Sequence, residues 1–386
     1  MEMRVLIAGI DGYLGWTLAQ HLGVRGHEVS GIDNFSRRAW VAEMDSHTAI
    51  PIENMATRLN ALNEIHGVEV DFHVGDLTSY MFVKRTIERT KPDCIVHFGE
   101  QPSAPFSMKS PWHSTFTHNN NLNGTLNLLY AMHEHAPKTH LLKLGTMGEY
   151  GTPNIDIPEG FFEIEYRGRK DTLPFPRQAG SWYHQTKVHD TNNIMFACKN
   201  WGLNSTDIMQ GVVYGTQIDT MTDPRLRTRF DFDEAFGTAI NRFCTQAVIG
   251  HPLTPYGSGD MKRGFIALRD SMQCLELAIN NPPQEGEYRV FNQFDEVYSI
   301  YQLAEQVKDA GEKKGLAVEI NNIDNPRTEA DKHYYNPDSV KLRELGFMPT
   351  KQLHEELSIM LDDLLTHRQR IEEKKRVILP KIRWKE

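Results

Sequence analysis

Arg4-Val-Leu-Ile-Ala-Gly9-Ile-Asp-Gly12-Tyr-Leu-Gly15 stands at the head of the chain and decides its fold. A short apolar run, three spaced glycines and then apolar residues at helical spacing over 14–22 predict strand, tight turn and helix. Glycine alone lets the backbone turn there and approach a pyrophosphate closely. The following helix N-terminus offers N–H donors and the positive end of its dipole. Gly9, Asp11, Gly12, Tyr13, Leu14 and Gly15 are therefore the expected bed of a dinucleotide.

The same alternation continues outward. Segments 28–32, 68–74, 94–98, 140–144 and 206–209 read as further strands, and 81–90, 125–135 and 183–201 as helices. This rhythm predicts an α/β fold, a doubly wound parallel sheet of Rossmann type. Past about Gly211 the pattern loosens into aromatic, Pro and Gly segments, with helical stretches at 235–249, 271–280 and 301–310. We expect residues 1–210 to form the cofactor domain, and 211–386 mainly a smaller C-terminal α/β substrate-binding part. Two long insertions, 36–64 and 153–181, interrupt the first of these. Within the second, Phe161 to Tyr166, Arg167-Gly-Arg169 and Thr172-Leu173 read as a hairpin with a glycine turn.

Composition narrows the function. The chain has 386 residues, enough for a full core, and its four cysteines are far apart with no CxxC pair, which argues against disulfides and a zinc site. A net charge of −9 without a long basic run makes nucleic acid an unsuitable partner, so an anionic substrate must be held by a few placed arginines. No apolar run approaches the ~20 residues that span a bilayer. The first strand begins almost at Met1 and leaves no room for a signal peptide in the chain as given, so a cytoplasmic location is expected.

Asp33 closes the second strand, where a carboxylate is expected to accept hydrogen bonds from the adenosine ribose and to repel a 2′-phosphate. That favours NAD over NADP, although Arg37 and Arg38 follow and could reverse the preference by pairing with such a phosphate. Asn34, Ser36 and Arg37 fall on the same side of the motif. Asp76-Leu77, past the third strand, is placed for the adenine edge, or for a plain turn. Phe98 and Gly99 end the fourth strand.

Tyr183-His-Gln-Thr-Lys187 opens a helix, and residues four apart share a face. A neighbouring ammonium favours the phenolate, making Tyr183 a usable base for a sugar hydroxyl proton, while Lys187 can also reach the cofactor ribose. Thr146, at a strand end upstream, would hold the reacting hydroxyl.

With these residues in place the chain resembles the extended short-chain dehydrogenase/reductase family. The G-x-x-G-x-x-G loop, Asp76-Leu77, Asn121-Leu-Asn-Gly-Thr125, Thr146, Tyr183 and Lys187 all occur in the family's order. More narrowly, it resembles a sulfite-adding branch of that family. The strings that carry this likeness are His97-Phe-Gly-Glu-Gln101, Lys143 through Asp156, Tyr183-His184, Gln210 through Gly215, Phe291-Asn-Gln-Phe294 and His333-Tyr-Tyr-Asn336.

The resemblance implies tightly held NAD, with Asn121 among its contacts, and UDP-glucose and sulfite as substrates. The implied path is oxidation at C4, loss of water across C5 and C6, sulfite addition at C6 and re-reduction at C4. It implies Gln101, Thr146, Gln210, Arg263 and Arg327 as substrate contacts, the two arginines on the diphosphate, and a homodimer or higher homo-oligomer. In related 4,6-dehydratases an Asp-Glu acid/base pair follows the threonine; here Met147-Gly148 stands there. Elimination must use other groups, of which His184 leads, followed by Glu149 and Glu100; a packing or cofactor-orienting role for His184 stays open. Where plant members of the branch carry Gln-Arg-Ser, this chain has Gln101-Pro-Ser, one cation fewer. A UDP-sugar 4-epimerase or 4,6-dehydratase is the alternative enzyme. A nucleotide-sensing binding module without turnover is the alternative outside catalysis.

Overall fold

The computed structural model describes residues 2–327 and 333–384. Seven parallel strands form its central sheet, in the order β3-β2-β1-β4-β5-β8-β11. They are β1 (Arg4–Ala8), β2 (Glu28–Asp33), β3 (Val70–Val74), β4 (Cys94–His97), β5 (His140–Thr146), β8 (Asn204–Gln210) and β11 (Tyr288–Gln293). Val5, Leu6, Ile7 and Ala8 are all buried, the continuous apolar run of a strand covered on both faces. Strand order reverses between β1 and β4, and the crevice beyond the carboxyl ends at such a reversal is where open α/β sheets bind ligands.

A second sheet is smaller: β9 (Val212–Tyr214) runs parallel to β10 (Lys262–Ala267), which pairs antiparallel with β12 (Glu296–Ser299). The helices Ala239–Val248, Ile300–Lys313 and Leu353–Leu365 share a core with this sheet. The chain passes from β8 to β9 through Gly211, where a Cβ would lie 2.6 Å from the Gly264 carbonyl oxygen. A side chain there would push the two sheets apart.

The structure differs from the sequence reading at β11. Residues 288–293 lie beyond the expected boundary at 210, yet they pair with β8 along its length. Helix Leu268–Asn280 also returns, with Leu268, Met272 and Leu275 packed in the core that holds Val5 and Ile7. Tyr288, Val290 and Phe291 give β11 its apolar signal, interrupted by Arg289 and followed by Asn292-Gln293, too little to read as a strand. The insertions are ordered elements: helices Ser36–Glu43 and Met55–His66 in the first, and in the second the hairpin β6 (Phe161–Tyr166) and β7 (Arg169–Pro174). Arg167 and Gly168, both at positive φ (52° and 74°), make its two-residue turn.

Candidate active site

A cavity of about 830 Å³ opens over the carboxyl ends of the central strands. Its cofactor side is backbone. Gly9 has φ +91°, and a Cβ on it would stand 2.8 Å from the carbonyl carbon of Phe98; one on Gly15 would stand 2.1 Å from the Gly9 oxygen. These contacts seat the turn against the end of β4 with Phe98 and Gly99 beside it. Gly12, Tyr13, Leu14 and Gly15 face the cavity at the start of helix Tyr13–Val24, whose N-cap supplies no side-chain hydrogen bond, so its first N–H groups can receive phosphate oxygens. Asp33, Asn34, Asp76 and Leu77 line the far end. Asn34 Nδ2 donates to Asp76 at 2.8 Å, and Thr78 caps the same carboxylate through its N–H and hydroxyl. The glycine turn, free helix terminus and terminal carboxylate fit a dinucleotide.

Asp33 accepts backbone N–H bonds from Asp11 (2.8 Å) and Phe35 (2.7 Å). Burial, with the Asp11 carboxylate close by, raises its pKa to about 6 against those two donors. The Asp11 side chain itself points away from the cavity. It is gripped by Arg38 through Nε and Nη2 (2.8 and 2.7 Å) and by the wholly buried Arg58 (2.9 Å), so it locks the first insertion onto the glycine turn. Arg37 lines the cavity but is tied through Nε and Nη2 to Asp231, and stacks 3.9 Å from the Phe236 ring centroid. Both arginines that could have favoured a 2′-phosphate are thus committed to carboxylates. Ser36 opens its helix with its N–H on Asn34, outside the cavity wall.

On the other side, Thr146 ends β5, and Tyr183 and His184 begin helix Trp182–Trp201, capped by Ser181; all three line the cavity. Ser181 Oγ stands 3.0 Å from His184 Nδ1, and the His184 ring lies 5.0 Å from that of Tyr183. A Cβ on Gly148 would meet His184 Nε2 at 2.4 Å, so the glycine makes the space the imidazole fills.

Lys187 sits behind Tyr183 rather than on the wall. Its Nζ donates to the Leu144 carbonyl at 2.6 Å, pairs with Glu100 at 2.5 Å and lies 5.9 Å from the Tyr183 ring centroid. Burial raises the Tyr183 phenol above its usual range, Glu100 and Glu149 add to this, and Lys143 and Arg37 oppose it. The expected lowering by Lys187 is therefore not what this structure shows, because Glu100 holds the ammonium.

Several expected contacts lie beneath the surface. Gln101 is fully buried, its amide bonded to Thr117 and Ser103; Asn121 bonds the Gln101 backbone and Thr186. Together they brace the loop after β4 instead of facing the cavity. Gln210 reaches the wall with its amide on Ser271 and Gln293. Glu149 is buried under Thr146, accepting from its N–H and pairing with Lys143 and Arg177, so it positions the threonine and does not face the cavity. Glu100 does face it, between Lys187 and His97 (3.3 Å).

Arg263 on β10 and Arg327 both line the cavity; Thr328 and Glu329, which complete the second motif, lie outside the described residues. Arg263 Nη1 is 3.4 Å from His333 Nε2, and the Tyr335 hydroxyl accepts from Gly264 N–H at 3.2 Å, which brings the His333-Tyr-Tyr string to the substrate side. Arg229 and Arg242 line the same wall and went unread in the sequence. The one available signal for Arg242 was a lone charge inside the otherwise uncharged helix Ala239–Val248.

A glycine-cradled dinucleotide bed facing a Tyr-Thr pair across one cavity defines a nucleotide-cofactor enzyme, and the chain belongs to the NAD dependent epimerase/dehydratase family, whose sequence model matches residues 5–292. Its likeness within that family is to UDP-sulfoquinovose synthases. The chain is 52% identical over 384 residues to that of Sulfolobus acidocaldarius, covering 99% of this chain and 98% of the relative. To the chloroplastic UDP-sulfoquinovose synthase of Spinacia oleracea it is 48% identical over 383 residues, 99% of this chain and 79% of the relative. In fold it is similar to the UDP-glucose 4-epimerase of Thermotoga maritima with UDP-glucose, at TM-score 0.71 and 18% identity, over 94% of this chain and 99% of that one. Among the described residues no helix is long and apolar enough to cross a membrane.

Proposed function

We infer that the chain acts as an NAD-dependent UDP-sulfoquinovose synthase, joining UDP-glucose and sulfite into a UDP-sugar sulfonated at C6 with loss of water. The observation that carries this reading is the exchange at Gly148: where a 4,6-dehydratase has a carboxylic acid, the missing side chain admits the His184 ring. The full-length likeness to sulfoquinovose synthases supports it.

NAD, when bound, supplies a reversible hydride acceptor for sugar C4. Tyr183 takes and returns the C4 hydroxyl proton, and Thr146 Oγ1 orients that hydroxyl. Glu149, Lys143 and Arg177 keep Thr146 in place from below. The C4 ketone acidifies the C5 proton, which His184 Nε2 is set to remove; Ser181 at its Nδ1 fixes the ring. The C6 hydroxyl takes that proton and leaves as water, giving an unsaturated ketone; the sulfite sulfur adds at C6 as C5 takes up a proton, and C4 is then reduced again. Arg263 and Arg327 hold the diphosphate, as planar guanidinium groups grip phosphate oxygens in pairs.

In this reading residues 1–210 hold the cofactor and most of the remainder holds the UDP-sugar, with β11 returned to the first sheet. Four free buried cysteines suit a reducing compartment, the cytosol in our assignment. Exposed Trp112, Trp182 and Phe196 on helices Pro111–His135 and Trp182–Trp201 are assigned to contact with a second copy, giving a homodimer or a higher homo-oligomer.

Mass spectrometry of products from UDP-glucose with and without sulfite tests the reaction. A sulfonate that forms only with sulfite is expected. UDP-galactose or a 4-keto-6-deoxy product, with no sulfonate at any sulfite concentration, would promote the epimerase or dehydratase alternative. No turnover of any kind would favour a sensing module.

A further inference from the structure

Glu100 is a buried carboxylate that the steps above leave without a task. It follows β4 and touches the cavity, but both of its oxygens lie sealed beneath the wall. Oε2 stands 2.5 Å from Lys187 Nζ and Oε1 3.3 Å from His97 Nε2, and all three residues are buried. Burial lowers the His97 imidazole to about 4, so it is neutral near pH 7 and Lys187 is the cation in contact with Glu100. Asp190, three residues beyond Lys187 on the same helix, does not compete for it. Burial, with Glu100 close by, raises the Asp190 carboxyl well above the usual range, toward its neutral form.

These contacts bear on Tyr183. An ammonium free beside a phenol favours the phenolate, whereas one already paired with a carboxylate brings little net charge. The groups that face Tyr183 are Glu100 from the loop after β4, Glu149 and Lys143 beneath Thr146, Arg37 from the first insertion, and Lys187 and His184 on its own helix. Lys143 is paired with Glu149 and Asp207, Arg37 with Asp231, and Lys187 with Glu100. Burial and then Glu100 raise the phenol, which therefore keeps its proton. An enzyme that only moves a hydride at C4 needs its tyrosine as base and acid in turn. The synthase reaction interposes elimination and sulfite addition, during which C4 is a ketone and negative charge gathers on its oxygen. A phenol donates a hydrogen bond to that oxygen; a phenolate cannot.

We propose that Glu100 is a positioning residue that holds Lys187 and keeps Tyr183 a phenol for as long as C4 is a ketone. C4 oxidation draws on the phenolate, so it quickens as the pH rises. The proton that Tyr183 takes from the C4 hydroxyl then stays on the phenol oxygen, is shared with the ketone through elimination and addition, and passes back to the C4 oxygen as the hydride returns. The assignment rests on the synthase reading above and deepens it.

The test uses the full chain loaded with NAD. Glu100→Gln keeps the shape of the side chain and removes its charge. In single turnovers with UDP-glucose, followed by the absorbance of reduced cofactor, the pH at which C4 oxidation reaches half its maximum should fall by about one unit. With sulfite present, reduced cofactor should persist in this variant above about pH 8, and less sulfonate should form for each C4 oxidised, because the phenol has lost its proton there. Glu100→Asp, which keeps the charge, should move the profile back toward the wild type, as a mere packing role would not require. If the Gln variant does not fold, the wild type decides. Its ultraviolet titration, less that of Tyr183→Phe, should show no phenolate at Tyr183 below about pH 9, against an ordinary tyrosine value of ~10. Phenolate below that pH, or a folded Gln variant whose oxidation profile stays with that of the wild type, would overturn the proposal while leaving the synthase reading intact. Wild-type protein that forms neither reduced cofactor nor sulfonate from UDP-glucose and sulfite would remove both.

Discussion

The two walls of the cavity are built on different plans, one offering backbone and the other side chains. On the cofactor wall each charge has a protein partner: Asp11 is held by Arg38 and Arg58, and Arg37 by Asp231. What it offers a ligand is backbone, from Gly12 to Gly15. The sugar wall offers side chains, among them Tyr183, His184, Arg242, Arg263 and Arg327. The difference suits the reaction. A cofactor restored in every cycle can occupy a bed complete before it binds, whereas a substrate that comes and goes meets the side chains that act on it.

The strongest way to break this contrast is at the tyrosine. Tyr183→Phe removes one hydroxyl and little else, and should lower turnover by ~10²–10⁴-fold, the usual worth of a positioned acid/base. UDP affinity should barely change, because Arg263 and Arg327, the arginines proposed for the diphosphate, are untouched. Near-normal rates of C4 oxidation, followed by the absorbance of reduced cofactor, would mean the proton goes elsewhere, with Glu100 the group to test next.

A smaller effect separates the walls directly. Arg263→Ala and Arg327→Ala should each weaken UDP by about 1.5–3 kcal/mol and leave NAD content, measured on denatured protein, as in the wild type. If either variant loses NAD along with UDP, the two walls are coupled and the contrast fails.

The two walls also differed in how far the sequence revealed them. The cofactor bed is local: strand, glycines and helix are contiguous over Arg4 to Gly15, and Asp33 is one element away, so spacing alone carried the reading. Local spacing could not show that Asp11 points back into the fold, since that depends on Arg58, 47 residues on. Tyr183 and Lys187 were read from helical spacing, but the Glu100 that takes Lys187 comes from the loop after β4. Arg242 and β11 were missed for a related reason. Each is defined by residues far away in the chain, Tyr256 and Arg327 for one and β8 for the other, and neither has a periodic pattern of its own.

The smallest expected effect probes Asp33, a carboxylate on the cofactor wall that has no cationic hydrogen-bond partner. Asp33 receives backbone N–H bonds only, and burial beside Asp11 brings its pKa up to about 6. Ribose hydroxyls donate to a carboxylate, so NAD requires the ionised form. As the pH falls through about 6 a proton takes the place of that ligand, and NAD affinity should drop roughly two- to tenfold between pH 7 and pH 5. The fold responds with the opposite sign. A carboxyl whose folded pKa lies above its unfolded value stabilises the protein below the unfolded pKa, and that contribution is lost as pH rises through about 6. Asp33 should therefore favour the NAD-free fold in acid while NAD binding weakens there. Asp33→Asn should flatten the NAD titration across that range and lower its plateau. A wild-type affinity that does not change from pH 7 to pH 5 would show that the carboxylate does not hold the ribose and that the glycine turn alone carries the cofactor.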